Sequence, residues 1–98
     1  MTITKSKNGS ALTLALQGRL DTTTAPELEK ELKGSLDGVD TLTMDFEQLD
    51  YISSAGLRVL LSAQKTMSKL GGMKVIHVSD LVMEVFEVTG FSDILDIE

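Results

Sequence analysis

Asp50-Tyr51-Ile52-Ser53-Ser54-Ala55-Gly56-Leu57 is the stretch in which the chain changes period, from strand-like alternation to a helical repeat. Upstream, Leu42, Met44 and Phe46 alternate with Thr43 and Asp45; this predicts a strand over 41–46, then a short acidic and apolar connector reaching Ile52. Downstream, Leu57, Leu60, Leu61, Ala63, Met67 and Leu70 recur at helical spacing, which predicts a helix over Ser54–Leu70 ended by Gly71-Gly72. Two hydroxyls thus stand where a helix begins with unsatisfied amides. Ser54 can cap them, and a phosphate on the same oxygen would be held by those amides and the helix dipole. Gly56, without a side chain, would leave that hydroxyl accessible; the plainer reading is that both serines only cap and that Gly56 lets the helix pack closely.

Toward the N-terminus, Leu12, Leu14 and Leu16 alternate with polar or small residues as a strand, and Met1–Lys7 is its expected partner, joined through Asn8-Gly9. Thr24-Ala25-Pro26-Glu27 has the form of a capping box. Leu28, Leu32 and Leu36 come after it at four-residue spacing, Glu29 and Lys33 sit one turn apart, and Asp37-Gly38 supplies the stop. Toward the C-terminus, Met73–Val78 reads as a buried strand. A helix capped by Ser79 or Asp80 then presents Leu81, Val82, Val85 and Phe86 inward and closes at Gly90, and Ile94–Ile97 is expected as an edge strand. Strands separated by helices imply an α/β domain over residues 1–98, a small mixed sheet of four to five strands covered by three to four helices.

With 98 residues, no cysteine and no run of about 20 apolar residues, the chain is expected to be one cytoplasmic domain without disulfides or a membrane span. A net charge of -6 opposes direct contact with nucleic acid or anionic lipid and by itself serves solubility. No GxxxxGK[ST] loop is present, and no cofactor is expected.

Gly18-Arg19-Leu20-Asp21 after the second strand, Leu42 to Phe46 leading to Leu49-Asp50, Ile52-Ser53-Ser54-Ala55-Gly56-Leu57, Gly71-Gly72 before a strand and Val85-Phe86 to Thr89-Gly90-Phe91 occur in an order that resembles the STAS domains. The resemblance is to the anti-sigma factor antagonists of the SpoIIAA and RsbV kind and covers nearly the whole chain. It implies a STAS-type fold and partner switching: the unmodified domain binds an anti-sigma factor that is also a serine kinase and so releases a sigma factor. Phosphorylation inactivates it and a PPM-type phosphatase resets it. Mapped onto this chain, the resemblance makes Ser54 the phosphoacceptor, with Ser53 second, and Gly56 the motif glycine. Ser53 stands where the family often has aspartate, and Ala55 where it often has a second hydroxyl. Asp21, Thr22, Thr23, Ile52, Ser53, Gly56 and Leu57 are the expected partner-binding residues, with Arg19 and Arg58 beside them, on a monomer or weak dimer.

Three other readings compete. A serine hydrolase lacks its GxSxG elbow, and His77, the sole histidine, is expected half-buried in the strand Val75–Val78. A metal site through Asp45, Glu47 and Asp50 matches no EF-hand spacing, and no histidine or cysteine is expected nearby to complete it. A non-switching STAS adaptor in a stressosome-like or transporter-associated complex would keep the fold and leave Ser54 unmodified.

Overall fold

The alternating leucines settle into neighbouring strands of one sheet. In the computed structural model, which describes residues 1–98, β1 (Thr2–Asn8) and β2 (Ala11–Leu20) form the expected antiparallel hairpin. Asn8 still pairs with Ala11, so the turn is Gly9-Ser10 rather than Asn8-Gly9, with only Gly9 at positive φ (63°). After α1 (Ala25–Ser35) come β3 (Thr41–Ile52), α2 (Ser54–Met67), β4 (Met73–Ile76), α3 (Asp80–Thr89), a 3-10 turn over Phe91–Asp93 and β5 (Asp96–Ile97). The sheet order is β1-β2-β3-β4-β5, parallel from β2 onward.

One side of the sheet holds the core. Leu12, Leu14, Leu16 and Leu20 of β2 and Leu42, Met44, Phe46, Leu49 and Ile52 of β3 join residues of all three helices in a single cluster of 23 buried apolar residues. Phe86 anchors α3 against Phe46, ring centres 6.4 Å apart. The opposite side carries Thr13, Ala15, Thr43 and Asp45, none of which is fully buried. Lys5 of β1 reaches Glu31 of α1 at 3.1 Å and holds its carboxyl below the usual range, a surface pair of small energetic weight.

Several expectations are corrected. The strand predicted over 41–46 runs on to Ile52, because β3 carries two extra residues against β2: Ala15 faces Asp45, Gln17 faces Gln48 and Arg19 faces Tyr51. Each bulge shifts the side-chain phase, so the buried positions step from Phe46 to Leu49 and then Ile52, a spacing of three that hides the strand from a period-two search. The Thr24 capping box does not form; Thr24 flanks α1 without a side-chain cap bond. β4 stops at Ile76, leaving His77 exposed with φ 57°. Leu81 points outward, and the tail makes only a two-residue strand, with Ile94 exposed. α2 ends at Met67 rather than Leu70.

Candidate functional site

β2 and β3 run parallel and end together at Leu20 and Ile52, so the loops beyond them emerge side by side at one end of the sheet. The Ser53 amide donates to the Leu20 carbonyl at 2.8 Å, fastening the start of α2 to the end of β2. Ser53, in extended geometry, is the cap of α2. Its Oγ accepts from the Gly56 amide at 3.4 Å, and its carbonyl accepts from the Leu57 amide at 2.9 Å. The capping role expected of Ser54 therefore belongs to Ser53. Ser54 is the first helical residue, exposed, and its hydroxyl makes no hydrogen bond within the chain. No acidic residue lies in the first turn of α2.

Gly56, Ile52 and Leu57 correct the expected docking face. Ile52 is 3% and Leu57 6% exposed, both in the core. A Cβ on Gly56 would come within 2.7 Å of Leu20 Cγ and 3.0 Å of Ile52 Cγ1, so this glycine permits close packing beneath the loop and does not open the hydroxyl above it. These three residues shape the site from below and offer a partner almost no surface.

The neighbouring loop is braced by Asp21. Its carboxylate accepts from the Thr23 hydroxyl at 2.7 Å, the Thr23 amide at 3.0 Å and the Thr24 amide at 3.1 Å. The Thr23 hydroxyl first, and the Thr24 amide next, hold the carboxyl down at about 2 against its usual 3.8. The Thr24 hydroxyl donates to the Arg19 carbonyl at 2.7 Å and accepts from the Asp21 amide at 2.8 Å, which is why it is not free to cap α1. Arg19 lies 3.8 Å from Asp21 and 4.2 Å above the Tyr51 ring, joining both strand ends. Asp21 is thus a structural clamp, and the exposed Thr22 and Thr23 are the residues it presents.

Between α1 and α2 an open groove of about 770 Å³ runs away from these loops. Ala25, Ala55 and Val59 line it, with Thr22 at the loops and Lys30, Lys33 and Arg58 among its polar residues. Arg58, one turn after Ser54 on α2, lines this groove together with the lysines, which sequence reading missed because only the packing of α1 on α2 brings them to it.

His77 does not meet Ser54. It comes directly after Ile76, which pairs with Asp45, and seven residue steps along β3, roughly 23 Å at about 3.3 Å per step, separate Asp45 from Ile52. Its Nδ1 lies 3.0 Å from Asp45 Oδ1 and 3.9 Å from Glu47 Oε2; the Asp45 hydrogen bond raises its pKa above the usual 6.5. The expectation that no histidine joins the acidic residues of β3 is therefore corrected: His77 completes a group with Asp45 and Glu47 whose donor atoms lie within 4.8 Å, and Asp50 is not part of it.

No helix is long and apolar enough to cross a membrane. The sequence model described as Mlab, STAS domain matches residues 3–96. The chain is 38% identical over 99 residues, covering 99% of itself and 85% of the other protein, to a Bordetella bronchiseptica protein named as a candidate anti-sigma factor antagonist, BtrV. It is 28% identical over 92 residues (93% and 84% covered) to the anti-sigma-B factor antagonist of Bacillus subtilis. Among solved structures, the fold matches the anti-sigma factor antagonist SpoIIAA of Bacillus in its unphosphorylated form, with TM-score 0.77, 16% identity and 99% and 87% of the chains covered. The phosphorylated form matches with TM-score 0.76, 17% identity and 99% and 91% covered. With the braced loops, the capped helix and these likenesses together, the chain belongs to the STAS domain family, among the anti-sigma factor antagonists.

Proposed function

We propose that this chain is a cytoplasmic partner-switching protein without chemistry of its own: unmodified, it binds an anti-sigma factor that is also a serine kinase, and phosphorylation of Ser54 ends that binding. The observation that carries this reading is the Ser54 hydroxyl, exposed, unbonded and first in its helix, beside the loop that Asp21 braces. A phosphate there meets the free amides and dipole of α2, with no carboxylate in the first turn to oppose it, so the domain tolerates the modification. A partner seated on Thr22, Thr23 and Ser54 would instead have to bury a group of about -2 charge, and affinity falls. Ser53 is the poorer acceptor because its oxygen is engaged in the cap and the residue is half-buried. ATP and magnesium belong to the kinase, and a PPM-type phosphatase restores the binding form.

The test is a binding titration of wild type, Ser54→Ala and Ser54→Asp against a kinase-type anti-sigma factor, with mass spectrometry of the peptide from Tyr51 to Arg58 after incubation with ATP. Ser54→Ala should bind as wild type and resist phosphorylation, while Ser54→Asp should bind at least about tenfold more weakly. Equal binding by Ser54→Asp, or phosphate elsewhere, defeats the switch. A second reading, a non-switching STAS adaptor, is favoured by Ser53 standing where the family often has aspartate; it predicts an unmodified Ser54 in every condition.

A further inference from the structure

The charge of the chain is concentrated at one end. Residues 75–98 carry Asp80, Glu84, Glu87, Asp93, Asp96 and Glu98 and no Lys or Arg, whereas residues 1–74 hold nine acidic and nine basic residues, so the whole formal -6 lies in the C-terminal part. None of the six carboxylates is in an ion pair: the pairs join Lys5 to Glu31, Arg19 to Asp21, Lys33 to Glu29, and His77 to Asp45 and Glu47. Asp80, Glu84 and Glu87 lie on α3, which has no basic residue in its last turn to offset Glu87 against the helix dipole.

The same helix carries a second outward feature. Leu81 is 57% and Val88 81% exposed, while Val82 and Phe86 are fully buried and hold the helix to the core. At 3.6 residues per turn, Leu81 and Val88 stand within about 20° of one another and about 10 Å apart along the helix, with the half-buried Val85 packed on the core at the edge of the same side, and Asp80, Glu84 and Glu87 fill a sector of about 60° nearby. Isolated exposed leucines are ordinary on any protein surface. Here an aligned apolar stripe runs beside an aligned row of unpaired carboxylates.

We propose that the outward face of α3 is a docking surface for a basic amphipathic helix of a partner protein. Such a helix supplies apolar side chains for Leu81 and Val88 and Lys or Arg for Asp80, Glu84 and Glu87, the one chemistry that satisfies both rows together. The negative field repels anionic lipid, nucleic acid and the equivalent helix of a second copy. This surface does not depend on Ser54 and stands whether or not the switch operates.

The test uses the isotope-labelled full chain, followed residue by residue by NMR during titration with three synthetic peptides: an amphipathic Leu/Lys helix, its Leu/Glu counterpart and a Lys/Ser peptide of equal positive charge. The Leu/Lys peptide should give saturable shifts centred on residues 80–89. Replacing Leu81 and Val88 with serine should weaken it about tenfold or more, as should Glu84→Lys with Glu87→Lys, while signals from the core remain in place. Ser54→Asp should leave this titration unchanged, so failure here is distinct from failure of the switch. Equal shifts from the Lys/Ser or Leu/Glu peptide, shifts centred on the α1–α2 groove, or concentration-dependent α3 shifts without peptide, which mark self-association, each overturn the proposal.

Discussion

α2 and α3 begin in the same way and then part. Ser53 and Ser79 are both extended caps, accepting the amide three residues on at 3.4 and 3.3 Å, and both carbonyls accept the amide one residue further at 2.9 and 2.8 Å. The first three helical residues are Ser54-Ala55-Gly56 in α2 and Asp80-Leu81-Val82 in α3. At the first helical position α3 has a permanent carboxylate and α2 a neutral hydroxyl. At the third, α3 buries a valine where α2 has room only for glycine. The junctions differ too: α2 is fastened by the backbone bond from Ser53 to Leu20, whereas the turn before α3 is held to β3 by the His77 side chain on Asp45. A common cap thus starts two helices of different character: α3 has a fixed charge and a deep apolar anchor, and α2 a charge that modification alone would supply.

The third position is where the contrast should cost most. Val82→Gly removes a fully buried side chain and adds a helical glycine, and should lose about 3 kcal/mol in urea unfolding. Gly56→Val forces a side chain against Leu20 and Ile52 and should lose about 2 kcal/mol. A neutral Gly56→Val would show that the loop yields, and the steric half of the comparison would go. The caps come next: Ser53→Ala and Ser79→Ala should each lose about 1 kcal/mol, and a large inequality would mean the two starts are alike in geometry only. At the first position, Ser54→Asp should gain about 0.5 kcal/mol and Asp80→Asn lose a similar amount, both differences fading at about 1 M salt. A Ser54→Asp domain more stable yet unable to bind its partner would separate the folding role of the charge from its binding role.

The smallest effect concerns the junctions. His77 has a raised pKa, so its contribution is complete below the unfolded value of about 6.5 and is lost as pH rises through the folded one. Histidine ring signals observed by NMR should titrate above that value and move back toward it in Asp45→Asn. Amide exchange at the start of α3, corrected for its intrinsic pH dependence, should quicken over the same range while α2 stays unchanged; an equal change at both would erase the distinction.

Local pattern carried much of this architecture. Leu12 to Leu16, Leu42 to Phe46 and the helical repeat from Leu57 to Met67 each declare their own period, and the Asp50–Leu57 stretch marks where one period becomes the other. The site was legible as a place, the start of α2, but not as a surface. Ile52 and Leu57 look available in sequence and are core, and the bracing of Thr23 and Thr24 by the Asp21 carboxylate shows only in the folded loop.

The chain specifies by itself which residues share a face, since the periods of helix and strand are properties of the backbone. The tertiary structure alone decided which neighbour each face meets. The two bulges of β3 exist only against β2, the exposure of Leu81 results from Val82 and Phe86 taking the core, and His77 reaches Asp45 only because β4 lies beside β3. Pairing and burial are settled between segments distant in sequence, and local periodicity holds no record of those encounters.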